Sequence, residues 1–194
     1  TVRAVAELFT GGSAVRVRTA AGTDVQLRIE GRTGNACPGY VERPGDLGSP
    51  PDAEANVSPI EDASDGFAVI DGSITCGELG LLRTPVNLDI RCGKIVSVRS
   101  SDSLYVETVE RLLGPVGSKR RVLAECGVGL NPMAQLTGSM LTDEGALGCV
   151  HFGFGSNATV GGHNDVDFHL DFVMRAASLE VDGTPVLSDG RLVL

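Results

Sequence analysis

Three short apolar runs, each broken by a charged or imidazole side chain, constrain this chain more than any other feature. They are RVLAECGVG (121–129), carrying Glu125; GCVHFGFG (148–155), carrying His151; and FHLDFVM (168–174), carrying His169 and Asp171. Side chains alternate faces along a strand, so residues two apart share a face. On that spacing Val150, Phe152 and Phe154 oppose Cys149, His151 and Gly153, while Glu125 lies with Gly127 and Gly129. His169 and Asp171 lie together, opposite Phe168, Leu170, Phe172 and Met174. All three runs have one packing face and one face of carboxylate, imidazole and glycine, the pattern of a site.

The rest of the chain reads as β-rich. Its 194 residues can bury a core and fit one domain. The 26 glycines and nine prolines indicate many turns and short strands rather than a helix bundle. SAVRVRT and DVQLRIEG alternate around Ala21-Gly22-Thr23 as a hairpin. VNLDIRCGKIVSVRS forms a second, turning near Cys92-Gly93-Lys94, and ASLEVDGTPVLSDGRLVL a third at Asp182-Gly183. FAVIDGSI (67–74) reads as one strand, and 32–61 as a long loop with short extended pieces. Residues 1–9 have helical spacing. SLYVETVERLL (103–113) is the clearest helix, with Ser103 as cap, Leu104, Val109, Leu112 and Leu113 as buried stripe, and Gly114-Pro115 as stop. A further short helix is expected around 142–147, where Asp143 and Glu144 read as an acidic first turn or as ligands. The expected class is α+β, with antiparallel sheets or a barrel-like core and one or two helices.

Composition excludes several roles. A formal charge of −9 with no basic patch argues against nucleic acid or an anionic membrane as partner. No apolar run approaches membrane-spanning length. The five cysteines, 37, 76, 92, 126 and 149, are odd in number and lack any CxxC. They read as reduced, mostly buried thiols in a cytoplasmic protein rather than as a disulfide framework or a thiolate zinc site. A nucleophile elbow, a Walker motif and a dinucleotide fingerprint are all missing.

The chemistry therefore rests on the polar faces. His169-x-Asp171 offers a nitrogen and an oxygen ligand on one strand face, with His151 and Glu125 on others. Mixed sets of this kind bind zinc, manganese, cobalt or iron, and the glycines leave room for metal, water and substrate. His163, after Gly161-Gly162, reads as a substrate contact or a solvated loop residue, not as a primary ligand.

AECGVGLNP, LTDEGALGCVHFGFGSN, GGHNDVDFHLDFVM and VDGTPVLSDG, in that order, resemble the M29 (aminopeptidase T/S type) metallo-aminopeptidases. They resemble still more their non-peptidase relatives, which include 2,5-dihydroxypyridine dioxygenase. The resemblance implies a centre of two glutamates, two histidines and an aspartate. Glu125, His151, His169 and Asp171 match its positions. Glu54, in Pro51-Asp52-Ala53-Glu54-Ala55, matches the first glutamate. Asn164 opens the segment that ends in His169 and Asp171 and, with His163, is expected at the substrate. Val166 and Ala53 depart from the family's serine and glycine.

The resemblance also implies one or two divalent ions and a homo-oligomer. The family's N-terminal α/β domain is not expected within this sequence, and residues 1–194 are expected to form a single metal-binding catalytic domain. The leading expectation is a metal-dependent, aminopeptidase-like hydrolase acting on a small-molecule or short-peptide substrate. In that reading Glu54 and Glu125 activate water. The alternatives are a non-haem Fe(II) ring-cleaving dioxygenase acting on a dihydroxypyridine-like aromatic and a non-catalytic metal-binding domain.

Overall fold

The computed structural model describes residues 1–45 and 48–194; residues 46 and 47, within the loop expected over 32–61, lie outside the described residues. The chain opens with helix α1 (Val2–Gly11), which buries Val5, Ala6 and Phe9. Strands β1 (Ala14–Arg18) and β2 (Asp24–Arg28) pair as the expected hairpin, burying Val15, Val17, Val25 and Leu27 and exposing the arginines between them. Next come β3 (Gly34–Cys37), β4 (Glu54–Val57), β5 (Asp65–Ile70), β6 (Ser73–Ile74), β7 (Gly80–Leu81), β8 (Val86–Arg91) and β9 (Lys94–Arg99). Helix α2 (Ser103–Leu113), β10 (Leu123–Gly129), helix α3 (Met140–Asp143), β11 (Val150–Gly155) and β12 (His169–Met174) follow. The chain closes with β13 (Ser178–Val181), β14 (Thr184–Ser188) and β15 (Arg191–Leu192).

These strands make two antiparallel sheets. One runs β15-β14-β13-β1-β2-β5-β8-β9 and the other β3-β4-β10-β11-β12-β6-β7. The main apolar core draws Val15, Val17 and Leu88 from the first sheet and Val57, Val128, Phe152 and Phe172 from the second. Phe154 and Phe172 meet edge to face with ring centroids 5.2 Å apart. The β-rich α+β class expected from the turn-rich composition is the architecture found, as two sheets rather than a barrel.

Several local expectations need correction. One of the short extended pieces expected within 32–61, residues 54–57, is not at the surface but is an interior strand, buried along its whole length between β3 and β10. Glu54-Ala55-Asn56-Val57 alternates polar and apolar residues, a short signal hidden by its Gly- and Pro-rich surroundings. FAVIDGSI is two strands in different sheets, because the chain crosses between them at Asp71-Gly72, where Gly72 N donates to Val173 O. Asp102, not Ser103, caps α2 by accepting from Leu104 N, and Leu104 is exposed while Thr108 joins the buried stripe. The short helix lies at 140–143, so Asp143 stands at its end rather than in an acidic first turn of a 142–147 helix.

Candidate metal centre

The site occupies the face of the seven-stranded sheet turned away from the core. Residues paired across neighbouring strands project to the same face. Glu54 pairs with Gly129, His151 with Gly127, Glu125 and Asp171 both with Gly153, and His169 with Gly155. Each of the five expected ligands thus has a glycine beside it on the adjoining strand. The reason is space. A Cβ at Gly127 would overlap the His151 ring, and one at Gly153 would lie 2.6 Å from His169 Nε2 and 3.0 Å from Asp171 Oδ1. The same strands send Ala55, Val57, Cys126, Val128, Val150, Phe152, Phe154, Leu170 and Phe172 into the core, which fixes which way the polar set points.

The five side chains converge. His151 Nε2 lies 3.2 Å from Glu54 Oε2 and 3.9 Å from Glu125 Oε1. His169 Nε2 lies 3.3 Å from Glu125 Oε2 and 3.1 Å from Asp171 Oδ1. Glu125 therefore joins two potential ligand sets, Glu54–Glu125–His151 and Glu125–His169–Asp171, each with ligand atoms within 4.8 Å of one another. Supporting bonds orient them. Asn56 Nδ2 donates to Glu54 Oε1 at 2.7 Å, and His169 Nδ1 donates to Ser156 O at 2.8 Å. Thr75 Oγ1 is 3.4 Å from Asp171 Oδ2.

Burial and proximity shift the titrations strongly. Against the cost of burying a cation, Glu54, Glu125 and Glu144 raise His151 to about 10. His169 rises to about 11 against the same cost, through Asp171 and Glu125. Burial opposes ionisation of Glu125, yet the two imidazoles hold its carboxylate down at about 2. Burial pushes Glu54 up to about 8.

A loop from Leu130 to Cys149 covers the site. It packs Ala146 and Cys149 on Val173, with Ala134 and Leu136 alongside. Asp143, fully buried, ties this loop down: it accepts from Ser73 Oγ at 2.5 Å, Thr137 N at 2.6 Å and Gly138 N at 2.9 Å. Those bonds make Asp143 a strap within the fold rather than a ligand. Glu144, the next residue, enters the field of the site: burial pushes its carboxyl up to about 10, and Asp171 and Glu54 add to the rise. Asp52, which lies against Gly145 of the same loop, is raised by burial to about 6. Periodicity had no means of finding Asp52, since it lies in irregular chain and reaches the site only through the fold.

The residues present fit a divalent ion. They supply nitrogen and carboxylate oxygen donors only, and Glu54 Oε2 is buried without a hydrogen-bond partner, the His151 nitrogen nearby being out of line. His163 and Asn164 are not among the converging groups. His163 is exposed, its backbone N–H donating to Glu61 Oε1. Asn164 is buried and spends its amide on Lys119 O at 2.8 Å and Gly155 O at 2.6 Å.

Known proteins share this fold. The structure of a 2,5-dihydroxypyridine dioxygenase from Pseudomonas putida KT2440 superposes with a TM-score of 0.86, at 24% identity, covering 99% of this chain and 58% of that one. The wild-type AmpT structure from Thermus thermophilus superposes with a TM-score of 0.76 at 22% identity, over 99% and 53%. At those identities the two likenesses concern the fold. A curated 2,5-dihydroxypyridine 5,6-dioxygenase from the same Pseudomonas strain is 25% identical over 203 residues, 99% of this chain and 57% of its own length. The chain thus spans a little over half the length of the relatives it matches. The family model for NicX, 2,5-dihydroxypyridine 5,6-dioxygenase, matches residues 1–194. That match overturns the hydrolase and aminopeptidase-like expectation, which keeps only the fold-level likeness to AmpT. From one end to the other, this chain belongs to the NicX family of 2,5-dihydroxypyridine 5,6-dioxygenases.

Proposed function

We propose that the chain is the metal-binding part of a non-haem iron dioxygenase that opens a dihydroxylated, pyridine-like aromatic ring. The observation carrying this reading is the convergence of His151, His169 and Glu125 on one glycine-floored sheet face, in a chain matched throughout by that family. Glu54, Glu125, His151, His169 and Asp171 would hold the ion. Bound Fe(II) supplies the one-electron chemistry by which dioxygen reacts with an electron-rich ring. The chain's own residues do the rest. Glu125, kept ionised by both imidazoles, offsets cationic charge between the two ligand sets. Gly127 and Gly153 leave room for the His151 ring and for His169 and Asp171 to lie close against the sheet. The 130–149 loop limits water from above. A small-molecule substrate, a homo-oligomeric assembly and a cytoplasmic setting belong to the same proposal; five free thiols suit the last.

The test is metal content and oxygen uptake of protein purified anaerobically, with 2,5-dihydroxypyridine as substrate. Stoichiometric iron and ring-dependent oxygen consumption are expected, both lost in His169→Ala. Iron binding without oxygen uptake, or iron retained in the variant, would sink the reading.

A further inference from the structure

The loop before β12 is fastened by a polar network more elaborate than an exposed loop needs. Asn157 is fully buried. Its Nδ2 donates to Ser58 Oγ and to Glu61 Oε1, both at 2.9 Å, and its Oδ1 accepts from Asn164 N at 2.7 Å. Glu61 also accepts from His163 N at 2.7 Å and from Arg32 at 2.5 Å. Arg32 in turn donates to Gly161 O at 2.8 Å. Packing is as tight as the bonding, since a Cβ at Gly162 would overlap the Asn157 carboxamide.

The network ends on a ligand. Ser156 precedes Asn157, its N–H donates to Phe168 O, and its carbonyl accepts His169 Nδ1–H at 2.8 Å. A carbonyl only accepts, so Nδ1 carries a proton, and Nε2, which faces Glu125 and Asp171, is the nitrogen left to bind an ion once it gives up its own proton. Without that carbonyl the ring is free to turn or to take its other tautomer. His151 is the second residue of β11 and shares none of these bonds.

We propose that Asn157 and Glu61 are positioning residues for His169: they hold the Ser156 carbonyl where it fixes the tautomer and the ring plane of that ligand. This rests on His169 being a metal ligand, as argued above. Partners of this kind commonly change metal affinity by ten- to a hundredfold.

The experiment uses Co²⁺ affinity by chelator competition, and the imidazole ¹⁵N shifts of the Zn²⁺-loaded protein, for wild type, Asn157→Ala, Glu61→Ala and Glu61→Gln. Cobalt binding should weaken about tenfold or more in Asn157→Ala and Glu61→Ala. The His169 nitrogens should shift while those of His151 stay. Glu61→Gln, which keeps an oxygen for Asn157 Nδ2, should recover most of the loss. Unchanged His169 shifts, or both histidines perturbed together as in general loosening, overturn the proposal. Should Asn157→Ala not fold, the two Glu61 variants decide alone. Wild-type protein that binds no cobalt overturns the metal reading itself, and this inference with it.

Discussion

Gly127 and His151 face each other across β10 and β11, and the imidazole lies over the space that a Cβ at position 127 would fill. A strand glycine ordinarily weakens a sheet, so its use here is explained by close approach. Gly127→Ala should push the His151 ring off its position and weaken metal binding by more than tenfold, an effect on the scale of losing an orienting partner. Gly153→Ala should act likewise through His169 and Asp171. Isothermal titration with Co²⁺ checks both; unchanged affinity would count against the glycine floor.

The metal-free centre stores its protons on the histidines. His151 and His169 stand at about 10 and about 11 in the folded protein, above the ordinary value of 6.5. A histidine raised on folding contributes stability that is fully present below its unfolded pKa and is lost as pH rises through its folded one. Glu54, raised to about 8, contributes with the same sign. The metal-free protein should therefore lose thermal stability between pH 7 and 10. Ligation needs neutral imidazole, so adding Zn²⁺ must release protons, and the metal-induced rise in Tm should grow over that range. Titration in weak buffer and thermal melts across pH measure the two effects.

Asp143 holds the covering loop through Ser73, Thr137 and Gly138. Asp143→Ala leaves those donors unpaired, and hydrogen bonds to charged groups are worth roughly 1.5–3 kcal/mol each. A destabilisation of about 4 kcal/mol or more is expected, with faster amide exchange concentrated in residues 137–147. Uniform exchange across the molecule would deny the loop its separate anchoring.

The cap of α2 separates two neighbours. Asp102→Ala should cost about 1 kcal/mol, the usual worth of a cap side chain, whereas Ser103→Ala should cost almost nothing. Urea denaturation of the two variants decides it, and the reverse order would restore Ser103 as the cap.

How much of this was legible beforehand follows from the range of each interaction. Glu125, His151, His169 and Asp171 stand out in the sequence because strand period two is local: the greasy neighbours of each announce a packing face, and the polar residue must point the other way. Glu54 obeys the same rule, but four residues inside a Gly- and Pro-rich stretch carry too little pattern, and only family resemblance brought it forward. Asp52, Glu144, Asn157 and Glu61 carry no periodic signal. Their roles depend on chain segments tens of residues away meeting in space, as when Glu61 receives Asn157 and His163 from about a hundred positions downstream.

By itself the sequence determined the β-rich class, the hairpins, the face each strand buries and four of the five converging groups, all consequences of local alternation and turn chemistry. The tertiary structure decided the rest. It split FAVIDGSI between two sheets and made a buried strand of residues 54–57. It set a glycine beside every converging side chain. Strand register and the covering loop did this, because distances of 3–4 Å between nitrogen and carboxylate are set by which strands pair, and pairing minimises the free energy of the whole core rather than of any one segment.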